Sequence, residues 1–407
     1  MISVSLIIVT SILSAQETGR RTIFLKSGER LDGEVVKRSE EHLVLKVEEE
    51  EKRVPLKSVK GEMSRKTADS MTEMLKLLGS DYEWWVTDSP SMVAVFPKSS
   101  DWQQRINSLR GFFSYLAKLF SVEFEYEPLI VIASPNDAKG KLDLTHYGYY
   151  DDSTMRLFIR SDSGDTVLKH EAVHLFHLEH SKKNGLPQAL WVIEGLAALF
   201  ENATLECGRV KPPPANRSEE TRKLFSFDAL PKLTDFIEQD FSAFYQNPAE
   251  NYSLASCLLN FVYKKNLLEK FLKEYSKTCK DDRGGTKALE KVFEKKMEEI
   301  ETEFHLFIKS LPRPSDLPPV DSPFIGVETQ EIDKRLRIAK VIRNSPAERS
   351  GFKVGDILIS LNGVYVKSFD NLRRILSSCK SGDRLKFILL RDDSIFEGEV
   401  TTNGVRD

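Results

Sequence analysis

Leu311-Pro312-Arg313-Pro314-Ser315-Asp316-Leu317-Pro318-Pro319 puts four prolines into nine residues, and neither a helix nor a central strand runs through such a segment. Each proline fixes its own φ and pushes the residue before it toward extended backbone, so residues 311–321 read as a stiff linker. The chain therefore folds as more than one body. Its 407 residues also exceed one ordinary core and suggest roughly two to four domains. Charged residues make up 30% and hydrophobic residues 40%, the balance of a folded globular protein. A net charge of -3, with no basic stripe, argues against a nucleic-acid partner.

Ahead of the linker, the stretch richest in chemistry is His170-Glu171-Ala172-Val173-His174. Two histidines four apart on a helix project from one face a turn apart, so both imidazoles reach a single metal ion. Glu171 stands beside the first histidine, where its carboxylate can take a proton from a water activated by that metal. Four of the seven histidines (His170, His174, His177 and His180) fall within eleven residues, which composition does not explain. The surroundings predict the helix: Ser163 and Asp165 offer N-caps, apolar residues recur at Val167, Leu168, Ala172, Leu175 and Leu178, and Gly185 closes the end. A surface helix with solvated histidines is the plain competing reading.

Zinc hydrolysis needs a third protein ligand and an open position. His180 stands six residues after His174, the spacing of the metzincin proteases. Glu194 stands twenty after it, in Trp191-Val192-Ile193-Glu194-Gly195-Leu196-Ala197. The metzincin spacing needs a glycine three residues after the second histidine to turn the chain back. Here that place is His177, and the apolar pattern continues through it. On an unbroken helix His180 points away from the pair. No methionine occurs between His180 and Met297 to lie beneath such a site. Glu194 is the favoured ligand, and the metzincin arrangement through His180 is the alternative.

From Gly148 to about Tyr275 the chain resembles the gluzincin, or peptidase-MA-like, zinc metallopeptidases of bacteria. The matching pieces are an extended Met155–Arg160 segment, the histidine pentad, Pro187, Trp191, Glu194-Gly195-Leu196-Ala197 and Tyr252-Ser253-Leu254-Ala255. The resemblance implies a zincin-like α+β peptidase domain over residues 63–310, with Zn2+ on His170, His174 and Glu194 and Glu171 as general base. It also implies that the Met155–Arg160 strand lines the cleft and holds substrate through its edge. Many relatives place an acidic or polar residue four after the ligand glutamate to orient a histidine. Here that residue is Ala198, and Glu201, on the same helix face, is the candidate substitute. The tetrahedral oxyanion needs a donor, typically worth about 3 kcal/mol. Tyr252 is the candidate by its place in the downstream motif, with His146, Tyr147, Tyr149 and Tyr150 as competitors. Two other functions fit the same residues: a zinc hydrolase of a non-peptide bond, and an exported scaffold with an inactive zincin domain. The intact Glu171 speaks against the scaffold, since a structural metal site needs no base.

Residues 2–13 are apolar, end in Ser14-Ala15 and are too short to span a bilayer. Residues 1–15 are expected to be a signal peptide, directing export to the periplasm or beyond, or membrane association if uncleaved. No other segment has transmembrane length. Cys207, Cys257, Cys279 and Cys379 are scattered without metal-type spacing. Residues 20–62 carry short apolar runs between turn signals and predict a small β-barrel similar to SH3-like or Sm-like barrels. Met92–Phe96 and Leu129–Ala133 read as strands around one helix from Trp102 to Phe120, followed later by helices over 252–278 and 286–310.

Residues 322–407 resemble a PDZ domain. Phe324-Ile325-Gly326-Val327 fits the carboxylate-binding loop, Ser345-Pro346-Ala347-Glu348 opens a helix with proline first and a capping box, and Asn362-Gly363 makes a hairpin turn. The resemblance implies capture of a C-terminal tail, paired with the strand after Val327, with Leu372 and Leu376 lining its side-chain pocket. The expected fold class is multidomain α+β: small barrel, zincin-like domain and PDZ domain. On its linker, the PDZ domain would raise the local concentration of a protein or peptide substrate. A PDZ fold that only packs on the peptidase is the alternative.

Overall fold

The computed structural model describes residues 20–138, 140, 142–206, 209–214, 217–333 and 335–407. The expected signal peptide and Cys207 lie outside the described residues. Contacts divide the chain, within one helix, into Met1–Glu179 and His180–Asp407.

In the first unit, β1 (Arg20–Leu25), β2 (Arg30–Arg38), β3 (His42–Val47), β4 (Glu50–Pro55) and β5 (Val59–Ser64) make an antiparallel sheet ordered β4-β3-β2-β1-β5. Alternation turns Ile23, Leu31, Val35, Leu43, Leu45 and Val54 to one buried cluster. The expected barrel is corrected: β4 and β5 end the strand order and do not pair, so the sheet is not closed. The reason is visible in β4. Glu50, Glu51, Lys52 and Arg53 are exposed and only Val54 is buried, which makes this strand a charged edge.

Ser64 ends β5 and caps α1 (Arg65–Leu78), its hydroxyl accepting from the Thr67 N–H at 3.2 Å. α1 buries Ala68, Met71, Met74 and Leu78 with Val93, Val95, Val131 and Phe158 of a second sheet. That sheet comprises β6 (Tyr82–Val86), β7 (Val93–Pro97), β8 (Leu129–Ala133), β9 (Gly148–Asp151) and β10 (Arg156–Arg160), ordered β6-β7-β8-β10-β9. Ile130, Ile132, Leu157 and Ile159 are also fully buried, so both faces are covered. β10 runs parallel to β8 and antiparallel to β9. Both its edges are taken, which corrects the expectation that this strand offers an edge to substrate. The edge strand is β9.

The helix expected over Trp102–Phe120 is two, α2 (Trp102–Ser108) and α3 (Arg110–Phe120), broken at Leu109, whose ψ of 0° leaves the helical value. α4 (Asp165–Asn184) carries the histidine pentad and ends at Gly185, with φ +59°.

The second unit contains α5 (Leu190–Phe200), α6 (Glu219–Ser226), α7 (Phe241–Gln246), α8 (Pro248–Lys264), α9 (Leu268–Thr278), α10 (Thr286–Phe293) and α11 (Met297–Ser310). The two long helices expected here are each broken, near Asn266 and at Glu294, both in left-handed conformation. α5 is buried, and the Trp191 indole donates to the Gly284 carbonyl at 2.9 Å. Gly195 faces α8, where a Cβ would lie 3.0 Å from the Ala255 carbonyl oxygen; glycine lets these two helices close up.

Beyond the linker, β11 (Val327–Ile332), β12 (Arg335–Val341), β13 (Ile357–Leu361), β14 (Arg384–Arg391) and β15 (Ser394–Thr401) pair in that order. With α12 (Phe369–Ser377) they enclose a core of Leu336, Ile338, Leu358, Leu372, Phe387 and Val400. The linker is not this domain's sole attachment. The Phe324 ring packs on Phe227 at 4.6 Å, and Ile342 joins Leu224 and Ala229. Lys340 pairs with Glu250 at 3.1 Å, Arg343 donates to Asn251 at 3.2 Å, and Arg406 pairs with Asp228 at 2.6 Å. Even the linker is pinned, through Asp316 and Lys223 at 2.7 Å.

Candidate metal centre

The start of α4 is fixed before its histidines appear. Arg105 donates to Asp165 at 2.6 Å and to the Ser163 carbonyl at 3.0 Å, and the Trp102 indole donates to the Ser161 carbonyl. Leu168, Ala172, Val173, Leu175 and Phe176 are then fully buried, which sets the rotation of the helix. His170 and His174 share a face, with ring centroids 4.9 Å apart and edge-on. One ligand-capable atom each from His170, His174 and Glu194 lies within 4.8 Å of the others. Among the described residues, these are the three side chains brought together as a metal-ligating group.

Glu171 is buried, with 8% of its surface exposed. Gly148 of β9 comes close to it: a Cβ at that position would stand 3.2 Å from Glu171 Cγ and 2.6 Å from Val167 Cγ1. The edge strand thus approaches the candidate base more nearly than any side-chain-bearing residue would permit. His177 is a packed core histidine, its ring stacked on Phe120 at 5.2 Å. α4 runs unbroken past His180, and the ligand group includes Glu194 rather than His180.

Glu194, on α5, is buried and accepts a hydrogen bond from the Tyr245 hydroxyl at 2.8 Å. Tyr245 is a site residue that the sequence did not single out. It sits on a six-residue helix too short to show a period, and the Asp240 N-cap in front of it is the one local signal. The Tyr252 ring lies 6.5 Å from that of Tyr245. Burial first, and the Glu194 charge second, push the Tyr245 phenol up to about 12 and that of Tyr252 well above its ordinary value. Both stay protonated, and so remain donors, at neutral pH. Glu201 is 2% exposed and forks onto Arg217 at 2.5 and 2.8 Å, with the Arg217 guanidinium 5.6 Å over the Tyr252 ring.

Of the competing residues, Tyr150 donates to Glu179 at 2.7 Å, Tyr149 stacks on Phe158, Tyr147 lies under Arg160, and His146 is exposed. In the C-terminal domain, Phe324 and Ile325 are buried, Gly326 takes φ +87°, and its carbonyl accepts from the Ile342 N–H at 2.9 Å. Val327 and Leu376 are partly covered, whereas Leu372 belongs to the core. Cys257, Cys279 and Cys379 are free thiols. No helix among the described residues is long and apolar enough to cross a membrane.

A DegP-like probable periplasmic serine endoprotease of Ectopseudomonas mendocina is 29% identical over 90 residues, 19% of this chain and 19% of that protein. The periplasmic pH-dependent serine endoprotease DegQ of Escherichia coli is 34% identical over 71 residues, 17% of this chain and 16% of its own. A Mesorhizobium japonicum protein named as a zinc metalloprotease is 36% identical over 55 residues, 14% of this chain and 15% of its own. The chain spans about a fifth of the length of the curated relatives it matches. Among solved structures, an aminopeptidase N family protein of Idiomarina loihiensis aligns at 12% identity over 80% of this chain and 67% of its own, with a TM-score of 0.42. The HtrA3 PDZ domain bound to a phage-derived ligand aligns at 19% identity over 20% of this chain and 86% of its own, with a TM-score of 0.19. At those scores neither likeness assigns a fold or an activity. Residues 323–402 match the PDZ domain family, and the C-terminal part of the chain is a PDZ domain.

Proposed function

We propose that the chain is an exported zinc metallopeptidase whose PDZ domain recruits protein or peptide tails. One observation carries this reading: the imidazoles of His170 and His174 and the carboxylate of Glu194 meet within 4.8 Å. Two imidazoles and a carboxylate are a donor set of hydrolytic zinc sites, which keep a fourth position open, so these residues fit the ion. Zinc held there supplies a Lewis acid and brings the pKa of water down to about 7.

The chain's own groups do the rest. Glu171 accepts the proton of the attacking water at its carboxylate and later gives it to the leaving amine. The protonated Tyr252 phenol donates to the developing oxyanion. The edge strand β9, close beside Glu171, pairs with the peptide backbone of the substrate. The loop Phe324–Val327 receives a tail carboxylate, with Leu376 at the margin of the groove. Export rests on the apolar residues 2–13 and the small residues that follow them.

Zinc content after purification tests the ligand set. Glu194→Ala is expected to come without zinc, whereas His180→Ala keeps it. The reverse outcome would restore the metzincin arrangement.

A further inference from the structure

Short helices are ordinarily loose, yet α7 is fastened at both ends. Asp240 accepts from the Ala243 N–H at 2.8 Å, and the Asn251 side chain of α8 donates to the Phe244 carbonyl at 2.7 Å. Phe244 is fully buried and its ring lies 5.5 Å from that of Tyr245. On the outer side the Tyr245 ring meets Phe241 at 4.6 Å. The phenol is therefore held between two aromatic rings, with its hydroxyl on Glu194 Oε1 at 2.8 Å. A glutamate has three rotatable bonds, and a carboxylate ligand is only as well aimed as the groups that hydrogen-bond to it.

We propose that Tyr245 is a positioning residue of the metal centre: it holds the Glu194 carboxylate turned toward His170 and His174. This rests on the zinc reading above. Tyr245 is on a short, doubly fastened helix and bonded to the ligand. Tyr252, on the long α8 and under the Arg217 guanidinium, also interacts with Glu194 and with Tyr245.

The experiment is a zinc titration of metal-free full-length wild type, Tyr245→Phe and Tyr252→Phe in competition with a chromophoric chelator, followed by peptide cleavage at saturating zinc. Tyr245 is 36% exposed, and phenylalanine keeps its ring contacts, so the metal-free melting temperature is expected to stay at the wild-type value. Tyr245→Phe is expected to bind zinc about 10- to 100-fold more weakly and to regain most of its kcat once zinc is saturating. Tyr252→Phe is expected to lose about 100-fold in kcat that saturating zinc does not restore. Wild-type zinc affinity in Tyr245→Phe overturns the positioning role. A wild-type protein that binds no zinc overturns the metallopeptidase reading instead, so the two failures are distinguishable.

Discussion

Glu171→Gln is expected to keep its zinc and lose about 10²- to 10⁴-fold in peptide turnover, the usual contribution of a general base. Glutamine keeps the shape of the side chain but cannot take up a proton. Glu171 is not among the three residues of the ligand-capable group. It is also buried beside Gly148, where a carboxamide of equal size fits without moving β9. Zinc content and peptide cleavage, measured on one preparation, check the claim. Full activity would remove the base assignment, and loss of zinc would make Glu171 a ligand.

Removing residues 312–407 is expected to lower cleavage of short peptides as well as of proteins, by up to about 100-fold for peptides. A freely tethered PDZ domain would change only protein substrates, because its whole contribution would be local concentration. The structure shows a docked domain instead. Lys340 reaches Glu250 and Arg343 reaches Asn251, in the turn of α8 that leads directly into Tyr252. Burial works against the Lys340 charge, but the carboxylates of Glu250, Glu220 and Glu328 outweigh it and hold the ammonium above its ordinary value. The Lys340 ammonium therefore stays charged throughout the neutral range. Truncation also uncovers Phe227, Leu224 and Ala229, which pack on Phe324 and Ile342. Steady-state kinetics on a short peptide and on a whole protein separate the two cases. Unchanged peptide turnover would mean that α8 keeps its place without the PDZ domain.

What the sequence reveals follows from how local each signal is. The metal helix is legible because its apolar spacing, its N-terminal Asp165 and the closing Gly185 all lie within one stretch. The PDZ helix start is legible for the same reason: Ser345 accepts from the Glu348 N–H at 3.2 Å, with Pro346 at the first helical position. Glu348 itself, however, reaches back to the Asn344 N–H rather than to the cap residue. Long-range pairing is another matter. The apolar run Leu157–Ile159 marks a strand, but nothing in it says that β9 folds back along it and takes the edge. The charged strand β4 alternates too little to betray that it closes no barrel. Tyr245 escapes because its contact with Glu194 crosses 51 positions and its helix is too brief for a period. The breaks at Leu109 and around Glu294 are local changes of backbone angle, which hydrophobic spacing does not report.

The most direct measurement is anomalous diffraction at the zinc edge from crystals of the full-length wild-type protein grown with stoichiometric zinc. The account predicts one strong peak per chain, about 2.0–2.2 Å from one nitrogen each of His170 and His174 and from a Glu194 carboxylate oxygen. A zinc-loaded crystal with no peak among these three side chains, or with its zinc bound elsewhere, would contradict it.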